Sequence, residues 1–558
     1  MTRGGTSSVQ SVLRLWLKLS AANRFDDATW RPREAQEHKL LEIVRRNQGT
    51  VYGREHGFSD VRSIGDFQQC VPTNTYDLLS PYLERMLRGE RNVLTADDPV
   101  MFATTSGTTG RSKFIPVPPS YLDEYSHGVH VHTYRMFTDF RDILEGKILV
   151  SSSSDVEGHT ESGAPYGAIS GYLARNQPRS IRRFYALPYE ISKIKEVDKK
   201  YYLMLRYALA ADIRLIAAPN PSSLILLADK MSAFAEDLID DIRSGSLNPT
   251  YSDGLPAPLT YGLRADPKRV NVLSDMLRAT GRLLPAEAWP NLRLLSCWKG
   301  GNMPLYLRKL PAYYGDCAIR DLGYMASEGR GATPLVNSGS AGVLNITSHF
   351  FEFVREEERD NPNAEFLTGD ELESNREYYV YFTTSAGLYR YDINDLVRVV
   401  DFYRNTPVVQ FVRKGQGISS ITGEKLTESQ VTGALLEVVD RHGLDVRHFT
   451  ASVEWGEPPR YVMHAELGET MTHELCQLFL REMERGVRSR NEEYEAKRET
   501  QRLGSPVLKS VAPGTYEELR RRRVAQGAPE SQVKIPQLSP DLEFGKGLQI
   551  LEEITIAS

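Results

Sequence analysis

The chain has 558 residues, 41% hydrophobic and 25% charged, which is the composition of an ordinary globular protein, and at roughly 100–200 residues per domain it calls for more than one folding unit. Its 68 basic and 73 acidic side chains leave a net charge of −5, so no strong positive field is present to recruit nucleic acid or anionic lipid. The cysteines (Cys70, Cys297, Cys317 and Cys476) show no CxxC pair and no metal-like spacing, which argues against a disulfide scaffold or structural zinc and for four buried, reduced thiols.

Taken in chain order, the first patterned element is Val12 to Leu19. Arg14 and Lys18 interrupt what would be the apolar core of a signal peptide, so a peripheral helix packed on the domain is expected. No apolar stretch approaches the ~18 residues of a membrane helix, and a cytoplasmic, monomeric protein without membrane or nucleic-acid partners is anticipated. Short apolar runs at Lys147–Val150, Ile213–Ala217, Leu292–Leu295 and Ala318–Leu322 alternate with long helical patterns. That order predicts an α/β fold with a largely parallel sheet, whose ligand loops leave the strands' carboxyl ends. From Tyr378–Thr383 and Leu396–Val400 the rhythm becomes that of closely spaced antiparallel strands, with Ala386-Gly387 available as a turn.

The stretch Lys414-Gly415-Gln416-Gly417 marks a boundary, giving domains at 1–413 and 414–558. Beyond it, Thr427 to Gln430 has capping-box form and opens a helix carrying Val431, Ala434, Leu435 and Val438, ending near Gly443. A strand is expected over Tyr461–His464. A second helix over Thr472–Met483 should bury Leu475, Cys476, Phe479, Leu480 and Met483. Arg481 to Arg502 reads as a solvated helix, and the arginines 520–523 as an exposed helical face.

The densest chemical signal is Thr104-Thr105-Ser106-Gly107-Thr108-Thr109-Gly110-Arg111-Ser112-Lys113. Glycines admit a phosphate close to the backbone, hydroxyls and amides donate to its oxygens, and Lys113 supplies a cation. A Walker A loop needs Gly before the Lys and Ser or Thr after it, whereas Lys113 stands between Ser112 and Phe114.

The loop resembles the phosphate-binding motif of the adenylate-forming superfamily. Three further segments resemble those of the Gretchen Hagen family of acyl acid amido synthetases, the auxin- and jasmonate-conjugating type. They are Gly323-Tyr324-Met325-Ala326-Ser327-Glu328-Gly329, similar to Y-x-x-S-E; Gly387-Leu388-Tyr389-Arg390-Tyr391-Asp392-Ile393-Asn394-Asp395, similar to Y-R-x-x-G-D; and Gln532-Val533-Lys534-Ile535-Pro536, similar to Q-x-K-x-P. The resemblance runs from about Gln36 to Pro536. It implies a large N-terminal adenylate-forming domain with mixed β-sheets flanked by helices, and a small mobile α+β C-terminal domain. It further implies MgATP as co-substrate, with a carboxylic acid and an amino acid as partners.

In the second motif, the ring of Tyr324 can stack on adenine, Ser327 can bond near the α-phosphate, and Glu328 can offer a hard oxygen to Mg²⁺, beside Met325 and Ala326. The resemblance implies that Asp395 holds the ribose hydroxyls. The resemblance implies that Lys534 stabilises the charge that gathers on the α-phosphate as a carboxylate attacks it. Lys425 resembles a second lysine of the small domain that takes the place of Lys534 when that domain rotates, and Arg413 stands where it can meet ribose or phosphate. Asn394 occupies the place of the family's Gly, and Gln537 that of its Arg; Asn tolerates a left-handed backbone.

Weaker signals are Tyr125 or His127 for the carboxylate pocket, Ser162 to Gly171 with Tyr166 near the acyl substrate, and Trp298-Lys299-Gly300-Gly301 as a wall of the site. His127, His130 and His132 do not share one helix face and carry no metal signal. The reading is an ATP-dependent ligase forming a C–N bond, through an acyl-adenylate and then an N-acyl amino acid. Its rivals are an acyl-CoA synthetase and a non-catalytic nucleotide-binding protein of the same fold.

Overall fold

The strands bordering the Gly/Ser-rich loop, β1 (Met101–Thr105) and β2 (Lys113–Val117), lie together in a four-stranded sheet of order β2-β1-β5-β4. In it β4 spans Gly158–His159 and β5 Pro165–Gly167, and β1 runs parallel to β5 with Phe102 opposite Tyr166. The computed structural model describes residues 3–105, 113–256, 259–260, 263–300, 303–359, 361–415, 417–469, 471–525 and 536–556.

The apolar runs form the expected parallel sheet, in the order β3 (Lys147–Val150), β6 (Ile213–Ala217), β7 (Leu294–Ser296) and β8 (Ala318–Arg320). β7 starts two residues later than the apolar run because the Leu292 amide donates to the carbonyl of Trp289 in a turn. β8 stops at Arg320 because Asp321 turns its carboxylate onto two backbone amides, those of Lys299 and Gly323.

After a short hairpin of β9 (Met325–Ala326) and β10 (Gly329–Arg330), the chain builds a six-stranded sheet of order β11-β12-β16-β15-β14-β13. Its strands are β11 (Ala332–Thr333), β12 (Gly342–Leu344), β13 (Phe350–Arg355), β14 (Glu377–Thr384), β15 (Leu388–Tyr403) and β16 (Thr406–Lys414). The closely spaced pair expected here is antiparallel, joined at Ser385–Gly387. Phe350, Phe351, Phe353, Tyr378, Val380 and Phe382 bury one continuous core with Phe67 and Phe102. The helix Arg3–Leu17 packs on the helix Pro119–Asp139, with Leu17 buried and the Trp16 ring edge-on to His130 at 4.9 Å, as its pattern predicts. Among the described residues no helix is long and apolar enough to cross a membrane.

The chain divides into two compact units, the first Met1–Thr104 with Phe114–Arg413, the second containing Lys414–Ser558. The first is a large α/β assembly of mixed sheets flanked by helices, and the second a smaller α+β unit. The second unit's main sheet has the order β22-β19-β20-β21-β23, with β19 at Val446–Glu454, β20 at Arg460–Leu467, β21 at Val507–Val511, β22 at Leu538–Ser539 and β23 at Ile550–Thr555. The Thr427–Gln430 capping box forms with both reciprocal bonds and opens the helix Glu428–His442, which Gly443 ends at φ +61°. Cys476, Phe479, Leu480 and Met483 are buried on the helix His473–Arg488, while Leu475 is only half-buried.

The charged stretch 481–502 is not one solvated helix. Asn491 caps a new helix, Glu492–Glu499, by accepting the Tyr494 amide, and this drives the Tyr494 ring into the core.

His464, buried on β20, lies 2.9 Å from the Ser452 hydroxyl through Nε2. Burial, with Lys509 nearby, pushes it down to about 4. The unfolded chain therefore takes up this proton first, so the imidazole's contribution is intact above its unfolded value of ~6.5 and is lost as pH falls toward 4. Denaturant titrations at pH 7 and pH 4 should show His464→Gln losing about 3 kcal/mol less than the parent between the two.

Candidate active site

Asp321 begins the site. Its two carboxylate oxygens accept the amides of Lys299 (2.5 Å) and Gly323 (2.6 Å), tying the loop after β7 to the loop after β8. Burial pushes Asp321 up to about 6. Gly323 has φ +92°, and a Cβ there would lie 2.3 Å from the Ala332 carbonyl oxygen, so only glycine fits. The motif that follows is a tight hairpin rather than an open loop: β9 and β10 pair Ala326 with Gly329 and Met325 with Arg330. Ser327 and Glu328 are the two residues of its turn. The Tyr121 hydroxyl donates to the Ser327 carbonyl at 2.7 Å.

Tyr324 enters the hairpin with its ring laid on the backbone of Gly331, where a Cβ would come within 2.3 Å of the ring. Phe382 meets that ring edge-on at 5.9 Å, and Phe411 lies nearly parallel at 6.0 Å. The Tyr324 hydroxyl donates to Asp395 at 2.7 Å, and burial beside that carboxylate holds the phenol well above its ordinary range, so it stays a donor.

Asp395 reaches Tyr324 because β15 bulges. Tyr379 faces Leu396 and Tyr381 faces Asp392, so Ile393, Asn394 and Asp395 stand opposite the single residue Val380. Asn394 takes φ +56°, the left-handed conformation anticipated for a residue in a glycine's place, and its amide donates to Asp392 at 2.8 Å. Upstream in the same motif, Arg390 is buried at φ +44° and pairs with Glu352 through Nε at 3.0 Å. Its Nη1 donates to the carbonyls of Gln68 and Val71.

A buried carboxylate without any sequence signal ties these pieces together. Glu124, on the helix Pro119–Asp139, accepts the Ser385 hydroxyl (2.6 Å) and amide (3.1 Å) and lies 3.2 Å from His349 Nδ1. The Arg330 amide donates to His349 Nε2 at 3.1 Å. A ring nitrogen that accepts an amide carries no proton, so the proton sits on Nδ1 and points at Glu124. Lys39 lies 3.8 Å from the same carboxylate.

The remaining candidates divide. Thr105 ends β1, while Ser106, Gly107, Thr108, Thr109, Gly301 and Lys534 lie outside the described residues. Arg413, near the end of β16, pairs with Glu356 at 2.6 Å. Lys425 sits in the second unit at φ +45°, next to Glu424, whose buried carboxylate accepts the amides of Ile421 and Thr422 and the Tyr461 hydroxyl. Tyr125 is buried beside Tyr121 with ring centres 6.1 Å apart. Tyr166 packs edge-on against Phe114 at 5.2 Å. Tyr324, Ser327, Glu328 and Asp395 are thus the predicted residues brought together by the two central motifs.

The family model for the GH3 family N-terminal domain matches residues 21–319, that for the central domain residues 342–414, and that for the C-terminal domain residues 429–543. The chain belongs to the GH3 family. Among curated relatives it is 26% identical to the indole-3-acetic acid-amido synthetase GH3.8 of Oryza sativa subsp. indica, over 96% of this chain and 92% of that one. It is 27% identical to the jasmonoyl–L-amino acid synthetase JAR6 of Nicotiana attenuata, over 92% of each. The solved structure of the AtGH3.15 acyl acid amido synthetase in complex with 2,4-DB shares the fold, with a TM-score of 0.66 at 21% identity over 96% of this chain and 97% of that one.

The arrangement of this family member gives one carboxylate on a bulge, oriented by a phenol, facing a hairpin whose turn carries a second carboxylate. Among the described residues no three His, Cys, Asp or Glu side chains gather as a metal cage. A nucleotide-borne Mg²⁺ asks less, one or two carboxylates beside phosphate oxygens and water. Glu328 fits that demand: it is buried beside the phenols of Tyr121, Tyr324 and Tyr391, which burial above all, and then the nearby carboxylates with Glu328 among them, hold above their ordinary range.

Because the Glu352–Arg390 pair is fully desolvated, removing one partner leaves an uncompensated buried charge beneath the Asp395 bulge. Glu352→Ala should cost about 3–5 kcal/mol in chemical unfolding, and Glu352→Gln, which keeps an acceptor, distinctly less. Equal stability of Glu352→Ala and the parent would show that the pair does not support the motif.

Proposed function

We propose that the chain is an ATP-dependent acyl acid amido synthetase, which joins a carboxylic acid to the amine of an amino acid with release of pyrophosphate and AMP. The observation that carries this is the 2.7 Å bond from Tyr324 to Asp395, which unites two nucleotide motifs 71 residues apart in a chain that matches all three GH3 domain models.

In this reading Asp395 accepts the ribose hydroxyls, and Tyr324 fixes that carboxylate while its half-buried ring lies under the adenine. Ser327 bonds near the α-phosphate, and the Thr105–Thr109 segment with Lys113 receives the β- and γ-phosphates. Glu328 would hold Mg²⁺, which when bound neutralises phosphate charge. The substrate carboxylate attacks the α-phosphorus, pyrophosphate leaves, and Lys534 stabilises the charge on the non-bridging oxygens. The amine of the amino acid then attacks the mixed anhydride, loses a proton, and AMP departs. Lys425 serves the nucleotide in the second half-reaction, when the small domain 414–558 has turned relative to 1–413. Arg413, between these two, contacts ribose or phosphate. Tyr125, Tyr166 and Gly301 border the acid. The four cysteines are free thiols, which suits a reducing compartment such as the cytoplasm, but only Cys297 and Cys476 are buried, Cys317 being half-buried and Cys70 exposed.

Two substitutions test the roles. Asp395→Ala removes two charge-assisted hydrogen bonds, worth roughly 1.5–3 kcal/mol each, and should raise the KM for ATP at least tenfold with the fold intact. Lys534→Ala should slow acid-dependent pyrophosphate exchange by about 10²- to 10³-fold. A folded Asp395→Ala with unchanged ATP dependence would remove that residue from the site.

The acceptor is tested by measuring AMP release with a panel of carboxylic acids. Release should accelerate with free amino acids and rise with pH as the α-amino group loses its proton, while coenzyme A should not substitute. Thioester formation at a matching rate would make the enzyme an acyl-CoA synthetase, and absence of exchange with every acid would leave a nucleotide-binding protein.

A further inference from the structure

At the carboxyl end of β3 the chain walls a cavity of about 610 Å³ that none of the nucleotide motifs lines. It opens on the same edge of the parallel sheet as Asp321, but at the other side of it. β3 and β8 are separated by three strand steps of ~4.8 Å, or about 14 Å. In parallel sheets this edge is where ligands are received.

The charge of the cavity is lopsided. Arg175, Arg182, Lys193 and Lys200 line it, against the single carboxylate of Glu190. Arg175 is answered by Asp155 at 3.0 Å. Arg182 donates to the carbonyls of Arg175 and Gln177, Lys193 lies 5.3 Å from the ring centre of Tyr189, and Lys200 donates to the Ser152 carbonyl at 3.1 Å. Among the described residues Lys200 meets no carboxylate, although it is half-buried and burial pulls its ammonium below the ordinary value. An uncompensated cation in a partly desolvated wall is costly unless an anion comes to it. The rest of the lining is mixed: Ser151, Ser152, Gln177 and Ser192 are polar, while Val150, Leu187, Met204 and the ring of Tyr185 form an apolar part. Inorganic phosphate would leave that part unused, whereas an apolar body would cover it.

We propose that this cavity is a second ligand site, distinct from the adenylation centre, which takes a small organic anion: a carboxylate carried on an apolar or aromatic body. Lys200 in the wall and Arg182 at the rim hold the carboxylate, and the apolar surface below takes the body.

The test titrates the full-length protein without ATP, using sodium benzoate as the probe and inorganic phosphate as a second arm. The parent should bind benzoate, at least tenfold more tightly than phosphate. A Lys200→Met, Arg182→Gln double variant should bind benzoate at least tenfold more weakly, with its melting temperature and its acid-dependent pyrophosphate exchange preserved. Lys200→Arg alone should keep the affinity.

No benzoate binding by the parent, an unchanged titration in the double variant, or phosphate bound as tightly as benzoate would each overturn the site. Loss of pyrophosphate exchange together with binding in a folded double variant would also overturn it, since the cavity would then belong to the adenylation centre. The titration reads the site even when no acid supports exchange, so the failure of the ligase reading and the failure of this one are distinguishable.

Discussion

The carboxylate of Glu124 is buried where bare charge cannot stand, and every element around it is arranged to answer that charge. It takes both donors of Ser385 at the turn between β14 and β15, and the proton of His349, with Lys39 close by. Because His349 must offer that proton, its other nitrogen is left to accept, and what it accepts is the amide of Arg330 in the β9–β10 hairpin. One ionised group thereby fixes the helix behind the Gly/Ser-rich loop, the end of the six-stranded sheet and the hairpin of the second motif as a single body. A charge taken out of water is tolerated only when its geometry is fully satisfied, so these three pieces cannot shift independently.

On that frame the candidate site is made by two departures from regular structure. The bulge in β15, held by Asn394 in the left-handed region, turns Asp395 out of the strand toward Tyr324. The Gly331 backbone, having no side chain, lets the Tyr324 ring lie flat enough to meet it. Arg390 supports the same strand from beneath, and its left-handed backbone is held by a buried ion pair and two carbonyls. The strained positions of the Leu388–Asp395 segment therefore fall at the residues that aim the carboxylate and anchor its strand.

The parallel strands were legible because an apolar run flanked by helical periodicity has few other solutions, and Ile213–Ala217 is bounded in the structure as its pattern predicts. The capped helix after Thr427 was legible for the same reason, since the capping box is a local signal. Glu124 was not. In Tyr121-Leu122-Asp123-Glu124-Tyr125 it reads as an ordinary helical acid, and its partners are 225 and 261 residues away. His349 and Asp321 are equally silent, because a buried polar group announces itself only through partners that the fold brings. The hairpin at Tyr324–Arg330 is silent as well, because Ser327-Glu328 has none of the glycine or asparagine chemistry that marks a two-residue turn.

That turn has a consequence for how the protein can vary. Side chains alternate faces along a strand, so a one-residue slip of β10 against β9 would exchange the two faces of the hairpin. Met325 and Arg330 would no longer stand opposite one another, and the Arg330 amide would leave His349. The register of β9 on β10 is therefore closed to gradual change, whereas the turn between them can lengthen. Variation in length is thus confined to the turn, and the paired residues keep the Arg330 amide on His349.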